Sequence, residues 1–123
     1  MIGNRKGNLG ENYAAEYLKS RGYKILERNY TNRFGEIDII AQKDEYIIFA
    51  EVKLRGKGSF VRAKESVNKA KQRKIVMASV SYLQSRPEEM QPRYDVIAIE
   101  VGENEAMSPV HIKAAFDTEG MFD

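Results

Sequence analysis

Asp38 and Glu51 are the residues of this chain whose setting most demands a chemical reason. Ile37, Ile39 and Ile40 surround the first, and Phe49, Ala50 and Val52 surround the second. Carboxylates so placed are seldom buried without a partner. Side chains alternate along a strand, so Glu51 and Lys53 project from one side. If Asp44-Glu45 makes a two-residue hairpin turn, Asp38 falls opposite Glu51. Two such charges about 5 Å apart, at an effective dielectric near 20, repel by roughly 3 kcal/mol. That is a large part of the roughly 5–15 kcal/mol by which a domain is stable. A shared proton, a salt bridge to Lys53 or a divalent cation on hard carboxylate oxygens would each offset it. A three-residue turn would instead pair Asp38 with Ala50 and separate the carboxylates onto opposite faces. The competing reading is a pair of strand-end residues in solvent.

A third acid comes from the N-terminal segment. At helical spacing Glu11 shares a face with Ala14, Ala15 and Leu18, whereas Glu16 lies with Asn12, Lys19 and Ser20. Glu11 is therefore expected to point inward and Glu16 into water, the alternative being that both sit on a charged surface. Zinc is not expected. There is no cysteine, and the single histidine, His111, lies on an expected edge strand, where a structural or surface role is the commoner one.

The elements that must hold these residues read as α-β-β-β-α-β-β. A helix is expected over 8–21, where Leu9, Tyr13 and Tyr17 recur at helical spacing and Gly22 stands at the usual stop. Strands follow at 23–30 and 36–42, separated by a turn at 31–35, and a third runs over 46–55. The second and third are nearly continuous in apolar residues, as in the middle of a sheet. A long helix is expected over 64–85, ended by Pro87. Val67, Ala70, Met77 and Ala78 share one of its faces, Lys69 and Arg73 lie opposite, and Lys71 and Lys74 interrupt the apolar stripe. The first half of that helix is accordingly expected to project beyond the core. Strands at 93–101 and 110–116 flank an acidic loop. The fold class is α/β, a mixed β-sheet with helices against it in a single domain spanning 1–123, its core at about 4–101.

The 123 residues suffice for one core without staples. The absence of cysteine removes disulfides and thiol nucleophiles, and a reducing, cytoplasmic setting is expected. Met1 to Asn8 holds Arg5 and Lys6 with no apolar run after them, so neither a secretory signal nor a membrane span is expected. The net charge of +2 conceals an asymmetry. Residues 53–74 hold nine basic side chains against the single acid Glu65, a local +8 that leaves −6 for the rest. Such a stretch is either a surface for a polyanion or a solvated lysine-rich helix face.

Asp38, twelve residues, then Glu51-Val52-Lys53 resembles the Asp…Glu-X-Lys signature of the PD-(D/E)XK, restriction-endonuclease-like superfamily. Lys6-Gly7-x-x-Gly10-Glu11, Gly35-Glu36-Ile37-Asp38-Ile39-Ile40-Ala41 and Phe49-Ala50-Glu51-Val52-Lys53-x-Arg55 narrow the likeness. Over about residues 4–101 the chain is similar to the YraN family of small predicted bacterial endonucleases, themselves similar to archaeal Holliday-junction resolvases. The resemblance implies that Asp38 and Glu51 hold a divalent metal, Mg²⁺ or Mn²⁺, and that Lys53 serves the attacking water or the scissile phosphate. Glu11 matches the helix-borne acid of such sites, and Gln72 resembles a glutamine that some branches place beside the metal. Glu36 lies within the matching motif.

Octahedral Mg²⁺ would suit three carboxylates and a backbone carbonyl such as that of Val52. Arg55, Lys57, Arg62, Lys64, Lys69 and Arg73 would contact phosphates, which position a nucleic acid without reading its sequence. Ser59 to Arg62 reads as a mobile loop over the substrate or as a connector with Phe60 in the core. The expected activity is metal-dependent hydrolysis of phosphodiester bonds in DNA rather than RNA, with branched or junction DNA as a candidate substrate. The alternative is a nucleic-acid-binding module that keeps the fold without turnover. Junction resolvases act as dimers, so the resemblance makes a homodimer plausible.

Overall fold

Alternation, turn chemistry and two amphipathic helices build a mixed sheet covered on both faces. The computed structural model describes residues 5–56 and 67–121, with side chains from residue 9. Helix α1 spans Arg5–Ser20, strands β1, β2 and β3 span Lys24–Asn32, Gly35–Lys43 and Tyr46–Gly56, and helix α2 spans Lys69–Gln84. Strands β4 (Gln91–Val101) and β5 (Met107–Phe116) follow, joined through a short 3-10 turn at Glu103–Glu105. The sheet order is β1-β2-β3-β4-β5, antiparallel except for β3 beside β4, which run parallel across the α2 connection. The α-β-β-β-α-β-β order expected from the sequence is the one observed. No helix among the described residues is long and apolar enough to cross a membrane.

Several boundaries move for identifiable reasons. The first connection is shorter than 31–35, because the ladder continues to Asn32↔Gly35 and only Arg33 and Phe34 turn. The second helix begins at Lys69, not Lys64: Asn68 is extended and its side chain accepts the Lys71 amide at 2.9 Å, the geometry of an N-cap. The final strand begins at Met107, before Val110, by pairing with Val101.

The two faces of the sheet carry separate apolar layers. Ala14, Ala15 and Leu18 of α1 bury against Ile39, Ala41, Ile48, Ala50, Ile97 and Ile99. Ile75, Val76, Ala78 and Tyr82 of α2 bury against Ile37, Ile40, Ile47, Phe49, Val96 and Ala98. Strand β3 obeys strict alternation, its even residues toward α1 and its odd ones toward α2. Strand β2 does not. Ile37 lies in the α2 layer and Ile39 in the α1 layer, so the strand changes phase across Asp38. On β1 the residue facing that point, Asn29, has φ 53, a left-handed conformation asparagine tolerates better than most. The change of phase falls beside the end of the β2–β3 ladder at Ile39↔Ala50, where the most conspicuous acid of the sheet sits. Gly35, at the start of β2, lets α2 approach closely: a Cβ there would lie 3.3 Å from the Lys74 Cβ and carbonyl oxygen.

Candidate active site

The β2–β3 turn has two residues. Lys43 pairs with Tyr46, Asp44 takes φ 55, and the register continues through Ile39↔Ala50, the phase that sets Asp38 level with Glu51. The ladder stops there. Beyond it the Asp38 side chain replaces a backbone acceptor, taking the Val52 N–H on Oδ2 at 2.8 Å, while β3 continues alongside β4 alone. The gap so formed is reached from both faces of the sheet.

From the α2 side comes Glu51, only 4% exposed. Lys71, in the first turns of α2, places Nζ 2.7 Å from Glu51 Oε1, and Lys53 Nζ lies 3.6 Å from the same oxygen. From the α1 side comes Glu11, whose Oε1 is buried and finds no hydrogen-bond partner in the described structure. Gly10 seats this end of α1, with Leu54 Cδ1 at 3.4 Å from where a Cβ would stand. Asp38, between the two, has its carboxyl pushed up to about 7. Burial is the main cause and the charge of Glu51 the next; the Val52 amide works against them, Glu11 with them, and Lys71 against them. Burial would lower the Lys71 ammonium, but its hydrogen bond to and attraction by Glu51 outweigh that and hold it above its ordinary value.

Asp38, Glu51, Lys53, Val52 and Glu11, singled out along the sequence, thus meet at one place. Lys71 was missed. Its signal was present as a basic residue interrupting the apolar stripe of α2, which reads equally as a projecting helix end. No residue of 69–74 is buried, as expected of a projecting half, yet the Lys71 side chain reaches back to Glu51 on the sheet. The remaining candidates are dispersed. Arg55 Nη2 contacts Glu100 Oε2 of β4 at 3.4 Å. Lys69 and Arg73 are exposed on α2. Gln72 donates from Nε2 to the Val67 carbonyl at 2.9 Å, which ties down the entry to α2. Glu36 is exposed at the start of β2. Lys57, Arg62, Lys64 and the Ser59–Arg62 loop lie outside the described residues. Among the described residues no three acidic or histidine side chains stand close enough together to hold an ion ready-made.

A second charged cluster was not anticipated. Asp95 is fully buried in β4, receives Arg93 Nε and Nη2 at 3.0 and 2.9 Å, and accepts the Ala114 amide at 3.0 Å. His111 Nε2 lies 2.7 Å from Asp95 Oδ2, and Nδ1 lies 3.0 Å from the Tyr17 hydroxyl. A neutral imidazole protonated at Nε2 satisfies both contacts. The histidine is thus structural, one of the two roles expected of it. Asp95 could have been found by the reasoning applied to Asp38, an aspartate within the apolar run Tyr94-Asp95-Val96-Ile97.

The strand order and the covering helices define an α/β domain, a five-stranded mixed sheet flanked by two helices. Comparison with known proteins specifies the family. The profile of Uncharacterised protein family UPF0102 matches residues 10–99. A UPF0102 protein of Persephonella marina is 44% identical over 115 residues, covering 93% of this chain and 95% of the relative. One of Myxococcus xanthus is 38% identical over 112 residues, covering 90% and 88%. One of Syntrophotalea carbinolica is 44% identical over 115 residues, 93% of each chain. The chain belongs to UPF0102, the family of the YraN proteins that its motifs resemble.

Proposed function

We propose that the protein is a metal-dependent endonuclease that hydrolyses phosphodiester bonds in DNA, with branched or junction DNA as the candidate substrate. The observation that carries this reading is the concentration of acid at the β2–β3 gap: Asp38 with its proton affinity raised, Glu51 buried, and the Glu11 Oε1 left without a partner. A buried carboxylate oxygen without a partner, on an acid near enough to raise the Asp38 carboxyl, is an environment that a hard cation satisfies. Asp38, Glu51 and Glu11 would hold Mg²⁺ or Mn²⁺, with the Val52 peptide beside them. When bound, the ion supplies positive charge against the phosphate and acidifies a water molecule. Lys53, on the same strand face as Glu51 and partly exposed, can donate to a phosphate oxygen or hold a water by hydrogen bond. The basic side chains of α2 offer contacts to the backbone of a nucleic acid.

One observation favours the alternative, a binding module without turnover: Glu51 is already neutralised by two lysines. The two readings separate in a cleavage assay on single-stranded, duplex and four-way-junction DNA with Mg²⁺ or Mn²⁺. Cleavage by the wild type, lost with a chelator and reduced at least roughly 100-fold by Asp38→Asn and by Lys53→Ala, supports the enzyme. Binding without cleavage, unchanged by either substitution, supports the module.

A further inference from the structure

Lys71 is the one residue at the gap that neither spacing nor resemblance assigned. Its ammonium makes the shortest ion pair of the site, 2.7 Å to Glu51 Oε1 against 3.6 Å for Lys53. The two lysines differ in how they are held. Lys53 leaves the same strand as Glu51, two residues on, whereas Lys71 arrives from a separate element on a long flexible stem that remains 42% exposed. A buried carboxylate cannot be left bare, and in the absence of an ion the ammonium is its counter-charge. Yet the oxygen that Lys71 occupies is one of those a cation between Asp38 and Glu51 would need.

We infer that Lys71 is a resident counter-ion, seated on Glu51 while the site is empty of metal and displaced toward solvent when a divalent cation enters. This rests on the reading of Asp38 and Glu51 as metal ligands, and it adds an order of events to that reading. Ion and ammonium repel at such range and share one oxygen, so only one of them is seated on Glu51 at a time. Released, the ammonium is presented at the surface of α2, where a phosphate backbone can meet it. A polyanion that attracts Lys71 outward therefore favours the ion, and by linkage the ion favours the polyanion.

The test uses Mn²⁺ alone as the probe, with affinity read by electron paramagnetic resonance on the full chain without nucleic acid. Lys71→Met is expected to bind Mn²⁺ roughly tenfold or more tightly than wild type, because the Lys71–Glu51 ion pair no longer has to be broken before the ion is seated. Lys74→Met, which removes an exposed charge one turn away, is expected to change the affinity by less than about twofold, its effect being screened. Equal or weaker binding by Lys71→Met, or an equal gain in Lys74→Met, overturns the displacement. Acylation of the wild-type lysines, read by mass spectrometry, gives a second measurement that needs no variant. Lys71 is expected to react several-fold faster in saturating Mn²⁺, relative to Lys74, and an unchanged ratio counts against displacement. If wild type and Lys71→Met both fail to bind Mn²⁺, the metal reading falls and takes this one with it. If wild type binds, Asp38→Asn does not and Lys71→Met is no tighter, the metal reading stands and the displacement alone fails.

Discussion

At the scale of the residue, Asp38 shows how a site can oppose the fold that contains it. Its carboxyl accepts the Val52 amide, which favours the ionised form, yet burial and the neighbouring Glu51 prevail and raise it to about 7. With the folded value above the unfolded one of about 4, the folded state binds the proton more tightly. The contribution of Asp38 is therefore most favourable below pH 4 and is lost as pH rises toward 7. Asp38→Asn keeps an acceptor for the Val52 amide and removes the charge. We expect it to be more stable than wild type at pH 8 by roughly 1–3 kcal/mol, with a smaller difference at pH 4. Urea unfolding at the two pH values, in the presence of a chelator, measures both. A variant less stable than wild type at pH 8 would show that the carboxylate contributes to the fold rather than straining it. Asp38 and Glu51 were legible in the sequence because acids are conspicuous among isoleucines. Lys71 was not, since a lysine on a helix is ordinary until the helix is docked.

At the scale of the element, the two helices hold the site from opposite faces and each depends on a polar fixture. α2 is placed by the Asn68 cap and the close approach at Gly35; α1 is tied at its far end to β4 and β5 through Tyr17, His111 and Asp95. Burial alone would raise the Asp95 carboxyl. The hydrogen bonds from His111, Arg93 and the Ala114 amide outweigh it and hold the carboxyl below its ordinary value. A lowered folded value means stability that is present above about pH 4 and is lost as acid titrates the group. Asp95→Ala should cost about 3–5 kcal/mol at pH 7, because Arg93 is left charged and unpaired, and the penalty should shrink toward pH 2. Denaturation midpoints across that range check it; a constant penalty would mean that packing, not charge, is lost. Element types and order were readable from alternation, helical spacing and turn residues. The start of α2 was not, since the run from Lys64 is helix-compatible throughout, and only the extended Asn68 marks where the helix begins. The opening of β2 from β3 was equally hidden: it depends on a change of phase at Asp38 and on Asn29 in β1, a tertiary matter that no local pattern encodes.

At the scale of the whole molecule, the near balance of charge divides into a basic segment and an acidic remainder, and the structure puts part of each at the same gap. Lys53 and Lys71 border Glu51, so positive charge adjoins the acids, while Lys69 and Arg73 are exposed on the opposite face of α2. For a polyanion this arrangement has a measurable signature. Each phosphate neutralised by a lysine or arginine releases condensed counterions, and the logarithm of the binding constant falls against the logarithm of salt with a slope near −0.9 per contact on duplex DNA. If the basic side chains of α2 and the Lys53–Arg55 end of β3 supply four to six such contacts, a slope of about −4 to −5 is expected. Lys69→Ala with Arg73→Ala should reduce its magnitude by about 2 and weaken all DNA sequences alike, since phosphate contacts carry no sequence information. Fluorescence anisotropy with labelled duplex and four-way-junction DNA across salt, in a chelator to prevent cleavage, measures the slope for each substrate. A flat dependence would remove nucleic acid as the partner and make the basic segment a solvated helix face. A steep slope that the double variant leaves unchanged would keep the partner but move its contacts to other basic residues of the chain.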